Sequence, residues 1–334
     1  MRPDMSRLLL KSGPLPGLVA VLLIFLVAGF TQPAFLDSFF SLYNAKTILT
    51  QTVIVGIGAL GMTLVIVSGG IDLSVGSQIA LSTVVIARIL TALGGTAYAG
   101  PGIALVAALA AIVVSGLTGL VGGLVSTRLR VAPFIVTLGT MQVARGIAKW
   151  LAREQTVVSP PNVLQSLMLV DPEPGWMILA PGIWIMLLLA VLIYIVLRFT
   201  VLGRHIFALG SNESTARLCG VPVLSRRLLV YTLCGGITGL AGIMQYANLT
   251  VGDPTAASGM ELDIIAAVVI GGGSLSGGEG SAAGSLAGAL LITLLRNGCN
   301  MLGLPSYFQE IMIGCIIVGA VLIDRVRHTA AQRA

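Results

Sequence analysis

Apolar residues run along this chain in long blocks, not in the strict alternation of a strand or the one-sided stripe of a surface helix. About 20 such residues are needed for a helix to cross a hydrocarbon core. Blocks of about that length fall at roughly 14–34, 47–67, 75–93, 101–125, 132–152, 178–197, 228–249, 262–275, 281–297 and 307–324. The pattern predicts an all-α polytopic membrane protein of about ten segments, folded as one transmembrane domain over 1–334. The first block is long enough to remain as an anchor, and no secretory cleavage site follows it.

Two interruptions stand out. "VIVSGGIDLSVGS" (Val65–Ser77) carries Gly69 and Gly70; "VVIGGGSLSGGEGS" (Val268–Ser281) carries Gly271, Gly272, Gly273, Gly277 and Gly278. Each is an apolar run, a glycine cluster, a small polar link and a Gly-Ser pair or Gly-rich end opening the next run. Matching glycine-broken segments in two halves of a membrane chain point to a transport pathway. A helix over 262–275 would rise only about 20 Å, short of the core. Each break is therefore either a join between two full spans or a hairpin that re-enters on one side. Glycines spaced by four, at Gly119/Gly123, Gly235/Gly239 and Gly284/Gly288, mark close helix crossings.

Composition agrees with a lipid-embedded chain: 56% hydrophobic, 10% charged, 42 glycines, where a soluble domain carries about 25% charged residues. The net charge of +6 is spread in short clusters between apolar runs, which fits topology control and not a nucleic-acid surface. With the N-terminus inside, segments 1–13, 126–131, 198–227 and 325–334 hold Arg2, Arg7, Lys11, Arg128, Arg130, Arg198, Arg204, Arg217, Arg226, Arg227, Arg325, Arg327 and Arg333. The outside loops hold Lys46, Arg153 and Arg296 against Asp37, Asp171, Glu173 and Asp253. Both termini are thus expected in the cytoplasm. Cys219, Cys234, Cys299 and Cys315, with only His205 and His328 beside them, form no metal or disulfide pattern and are expected as small apolar residues.

Leu275–Glu279 reads LSGGE, nearly the signature loop of ABC-type ATPases. A phosphate loop also needs GxxxxGK followed by Ser or Thr; Lys11, Lys46 and Lys149 follow Leu, Ala and Ala. The chain is not expected to hydrolyse ATP or to bind a cofactor. A different element does stand out in the loop 198–227. "LGSNESTARLCGVPV" (Leu209–Val223) predicts a two-turn helix: Ser211 or Asn212 as N-cap, Glu213 in the first turn, Arg217 near the end, Gly220 at C′, Pro222 beyond. It is either a rigid docking element or a solvated connector.

"GMTLVIVSGGIDLSVGS" (Gly61–Ser77), "TLGTMQVARG" (Thr137–Gly146), "ALGSNESTARLCGV" (Ala208–Val221) and "ELDIIAAVVIGGGSLSGGEGS" (Glu261–Ser281) closely resemble, in order, the ribose-type sugar permeases. These are membrane subunits of bacterial ABC importers, of type II importer-like fold, and relatives for other sugars share the stretches. The resemblance implies an inner-membrane permease that pairs with a second permease, a cytoplasmic ABC ATPase holding ATP and Mg, and a periplasmic sugar-binding protein. It implies that Ser211, Asn212, Glu213, Arg217 and Gly220 form the coupling helix at the ATPase. Glu279 stands where relatives often have a basic residue.

On that scheme Arg145, Lys149 and Arg153, at i, i+4 and i+8, receive carboxylates of the binding protein, line the outer vestibule or snorkel to headgroups. Arg88 is expected to snorkel as well. Asp72 either ties the first break by hydrogen bonds to free amides or touches sugar. Gln142, Gln245, Asn248, Asn297 and Asn300 line the sugar path or form interhelical hydrogen bonds. A stand-alone ion-driven sugar carrier is the rival; its relay acids would be Asp72, Glu261, Asp263 and Glu310. A receptor or structural protein would normally add a soluble domain.

Overall fold

The computed structural model describes residues 33–94, 98–129, 131–173 and 177–332. The expected first segment, Arg2, Arg7, Lys11, Arg130 and Arg333 lie outside those residues or, for the first segment, nearly so. The described chain is helical: α1 Pro33–Phe39, α2 Leu42–Val67, α3 Val75–Gly94, α4 Pro101–Arg128, α5 Pro133–Ala152, α6 Pro181–Phe199, α7 Val201–Ser211, α8 Glu213–Leu218, α9 Val223–Leu249, α10 Met260–Ile270, α11 Ala282–Met301 and α12 Ser306–Gln332. A 3-10 turn at Val163–Met168 and a two-residue antiparallel ladder, β1 Val157–Val158 with β2 Val251–Gly252, complete it.

Local chemistry sets the helix starts. Pro101, Pro133 and Pro181 open α4, α5 and α6 at the position where a missing N–H leaves nothing unpaired. Ser41 and Ser281 cap α2 and α11, their hydroxyls accepting from the amides of Asn44 and Gly284 at 3.1 Å each.

Apolarity alone places neither α2 nor α6; their neighbours do. The most apolar stretch of α2 is 94% buried, whereas those of α4 and α6 are 33% and 28% buried. A helix apolar on all sides is either a core element or faces lipid. Here α2 is the central staff, touched by α6, α9, α10 and α11, while α4 and α6 present Leu105, Leu109, Val113, Trp184, Leu188 and Leu192 outward.

Among the described residues, six helices are long and apolar enough to cross a membrane: α2, α3, α4, α6, α9 and α11. Four of the ten expected segments do not meet that measure. The first lies almost wholly outside the described residues. α5 carries Arg145 and Lys149 within its 20 residues. In α12 the described apolar stretch is Ser306–Gly319, shorter than that measure requires. α10 has 11 residues, a rise of about 16 Å, because the glycines end the helix at Ile270 instead of the expected 275.

The glycine pairs expected at crossings do sit at crossings. α4 and α9 form the most extensive helix pair: Gly119 faces the Tyr231 carbonyl and Gly235, and Gly235 faces the Ser115 carbonyl and Gly116. Gly284 and Gly288 on α11 face the carbonyls of Gly271 and Ala267 on α10. Small residues let the backbones close in, so dispersion contacts replace a hydrophobic driving force that lipid does not supply.

Candidate functional site: a capped elbow on two glycine breaks

α8 is built as its sequence predicts. Asn212, in extended conformation, accepts the Thr215 amide on its side-chain oxygen at 2.9 Å. Of the two candidate caps, Asn212 takes the role and Ser211 ends α7. At the other end Val221 N donates to Ala216 O (3.0 Å) and Gly220 N to Arg217 O (3.1 Å), with Gly220 at φ 82°. That pair of bonds is the Schellman closure, and Val221 adds its apolar contact by packing with Ala216, Leu209 and Val223. The Glu213 carboxylate is gripped from two sides, by Arg217 Nη2 at 3.0 Å and Arg227 Nη2 at 2.7 Å. Arg227 belongs to α9, so the pair ties α8 to the next long helix. Arg217 is 62% exposed on its side chain and Leu218 projects into the open.

Two of the loops assigned inside by charge, 126–131 and 198–227, share one end of the bundle. Ser126 to Arg128, Val131 to Pro133, Glu213, Arg217 and Val221 to Ser225 line one cleft of about 710 Å³. Arg198, Arg204, Gly280 and Ser281 line another there. At the opposite end lie the β1–β2 ladder, the Lys46–Asp171 ion pair (2.7 Å) and Arg153.

The two breaks meet each other at the first end. The Gly278 amide donates to the Val67 carbonyl at 2.9 Å. Gly69, at φ 81°, and Gly277, at φ 86°, both back onto Gly210, the penultimate residue of α7. Gly271 abuts Gly284, Gly272 takes φ 90°, and Gly273 lies against Val268. From this junction the first break rises past Gly70, beside the Tyr231 hydroxyl, to Asp72. Buried Asp72 accepts from the Ser74 amide (2.8 Å) and hydroxyl (2.5 Å), and Gln78 donates to that hydroxyl at 2.7 Å. This chain of bonds fixes the start of α3.

Arg145 has partners on its own chain: its Nη1 donates to the carbonyls of Pro254 (3.0 Å) and Ala256 (2.7 Å). It pins the loop after β2, which also reaches Gly76 at the start of α3 through Ala257 and Glu261. Lys149 and Arg153 are exposed and share a cleft with Arg88 and Glu154. Arg88 donates to the Leu151 carbonyl at 2.6 Å, where snorkelling was expected.

The five amide candidates are scattered. Asn297 is buried and exchanges two hydrogen bonds with Asn44 (3.1 and 3.0 Å), holding the outer parts of α2 and α11 together. Asn300 accepts from Gln309 at 2.7 Å. Gln245 is buried, while Gln142 and Asn248 are exposed. Of the acids open to an ion relay, Asp263 is ion-paired with Arg296, whose Nη2 lies 2.8 and 3.0 Å from its two oxygens. Sequence reasoning missed Gly210, Asn44 and the Asp263–Arg296 pair. A glycine inside a helical pattern one residue before a predicted cap was the available signal for the first.

Six described helices long and apolar enough to cross a membrane, two glycine breaks in contact and a short capped helix at one end make the architecture of a multi-pass membrane protein, and the comparisons with known proteins give its class. A family model described as the branched-chain amino acid transport system permease component matches residues 44–321. The chain is similar to the ribose import permease protein of Escherichia coli (strain K12), 39% identical over 316 residues that cover 92% of each chain. It is 35% identical to the ribose import permease protein of Bacillus subtilis (strain 168) over 94% of this chain and 92% of that one. It is 32% identical to the L-arabinose ABC transporter permease protein of Azospirillum brasilense over 92% of this chain and 87% of that one. No solved structure matches significantly. The chain belongs to the branched-chain amino acid transport system permease family. It is a transport permease and not in itself an enzyme.

Proposed function

We propose that the chain is the permease subunit of an ATP-driven importer that moves a monosaccharide, a ribose-like pentose or a related sugar or polyol, across the bacterial inner membrane. The observation that carries this is near-full-length similarity to ribose and arabinose import permeases, joined to a lever with the caps and ion pairs needed for docking. Two permease copies pair around the path. A periplasmic binding protein delivers the sugar to the outer end. A cytoplasmic ATPase holds ATP and Mg and receives α8 with its flanking residues Ser211 to Gly220. Both termini face the cytoplasm, because 1–13 and 325–334 carry basic residues as the loops at the α8 end do.

Each ATP cycle works by population shift. Nucleotide must favour one of two permease states by a few kcal/mol, and the lever passes that preference on. A rigid element can transmit it; α8, closed at both ends and pinned to α9 by Arg227, is rigid. Arg217 is the exposed cation of that element.

The test is uptake into proteoliposomes containing the permease, its ATPase and its binding protein. ATP-dependent accumulation of labelled D-ribose or another monosaccharide is expected. Arg217→Glu is expected to abolish ATPase recruitment at normal permease levels. Sugar movement by the purified chain alone, driven by an ion gradient, would refute the proposal.

A further inference from the structure

Between the lever and the broken segments the nearest contacts at Gly69, Gly210 and Gly277 are made by main chain, with the Ser211 hydroxyl at their edge beside Gly278. We infer that Gly69, Gly210 and Gly277 are the positioning residues of a backbone junction that passes displacement of α8 to both glycine breaks at once. This rests on the reading of α8 as the ATPase-docking lever.

α7 runs into α8 with Asn212 alone between them, so the elbow has almost no slack. The atoms nearest the inner side of Gly210 are main chain: a Cβ there would strike the Val67 carbonyl and the Gly278 amide. A Cβ on Gly277 would sit 2.8 Å from Gly210 O and 2.9 Å from the Cα atoms of Gly210 and Gly69. The bond from Gly278 N to Val67 O (2.9 Å) closes the set. Side chains at such a contact absorb small movements by changing rotamer. Touching main chains have no such soft torsion, and packed interiors pass strain on.

What is moved then follows from connectivity. Val67 ends α2, the central staff. Gly69 leads through Asp72 and Ser74 into α3. Gly278 leads through the Ser281 cap into α11. One push at Gly210 therefore reaches three long helices, and at the junction itself it passes from main chain to main chain.

Two measurements on the reconstituted importer test this. With D-ribose as probe, the Gly210→Ala complex is expected to hydrolyse ATP within about twofold of wild type while uptake falls about tenfold, a coupling loss that general misfolding does not produce. Proportional loss of both, or retention of both, overturns the inference. The second measurement uses the wild-type complex and no cargo, so it survives a variant that fails to fold. Trapping the ATPase with vanadate should change amide exchange at residues 66–72 and 271–280 together with 208–221. A change confined to 208–221 overturns the inference and leaves the lever intact. Vanadate-dependent exchange at all three stretches without D-ribose uptake would sink only the choice of cargo.

Discussion

The Asp263–Arg296 pair offers the sharpest energetic test of how α10 is held. The Asp263 side chain is 6% exposed and Arg296 is 36% exposed, so replacing Arg296 by Met keeps the stem's bulk and strands a carboxylate in the interior. Breaking a buried pair in this way costs about 3–5 kcal/mol. Asp263 also lies in the first turn of α10, where the helix dipole favours an anion by about 0.3–1 kcal/mol. The estimate for Arg296→Met is therefore near the lower bound, about 3 kcal/mol. Asp263→Leu leaves the cation orphaned instead, but Arg296 can extend toward water, so about 2 kcal/mol is expected. The double variant removes both charges and should return to within about 1 kcal/mol of wild type. Thermal unfolding of the purified chain in detergent reads this directly, at roughly 2 °C per kcal/mol for a chain of this size. A Tm unchanged in Arg296→Met, or a double variant as unstable as the two singles added together, would refute the assignment of this pair as a buried clamp.

Gly220→Ala should raise amide exchange in α8 and destabilise it by about 1 kcal/mol; a Cβ at that site meets open space, so the effect isolates the backbone strain of φ 82°. Asn212→Ala should have a similar effect of about 1 kcal/mol by freeing the Thr215 amide, and normal exchange in either variant would count against the capped geometry. Gly235→Ala drives a Cβ into the Ser115 carbonyl and should lower stability by about 1–3 kcal/mol, whereas Gly146→Ala on α5, with nothing near its Cβ, should be neutral or slightly stabilising; equal melting of the two variants would refute the α4–α9 crossing. Arg145→Met should expose the loop 253–259 to limited proteolysis by releasing the Pro254 and Ala256 carbonyls, and an unchanged cleavage pattern would show that Arg145 does not hold that loop.

What the sequence by itself determined was whatever depends on near neighbours. Long apolar blocks located the crossing helices. Asn212, Gly220 and Pro222 wrote the limits of α8, because a cap and a left-handed closure involve residues no more than a few positions apart. The C-terminal end of α10 was misjudged by five residues, since glycine tolerates both continuing a helix and stopping one.

Only the tertiary structure decided which distant atoms meet. Arg145 reads as a free cation on one helix face until the chain brings Pro254 and Ala256 beside it. Asn297 reads equally as a path residue or an interhelical hydrogen bond until Asn44 satisfies it. Apolarity cannot say that α2 is the core and α6 the rim, because protein interior and lipid select the same side chains. Nor does any local signal reveal that Gly69, Gly210 and Gly277 converge. Such a meeting is fixed by how long helices pack, and a Cα without a Cβ leaves no pattern beyond the letter G itself.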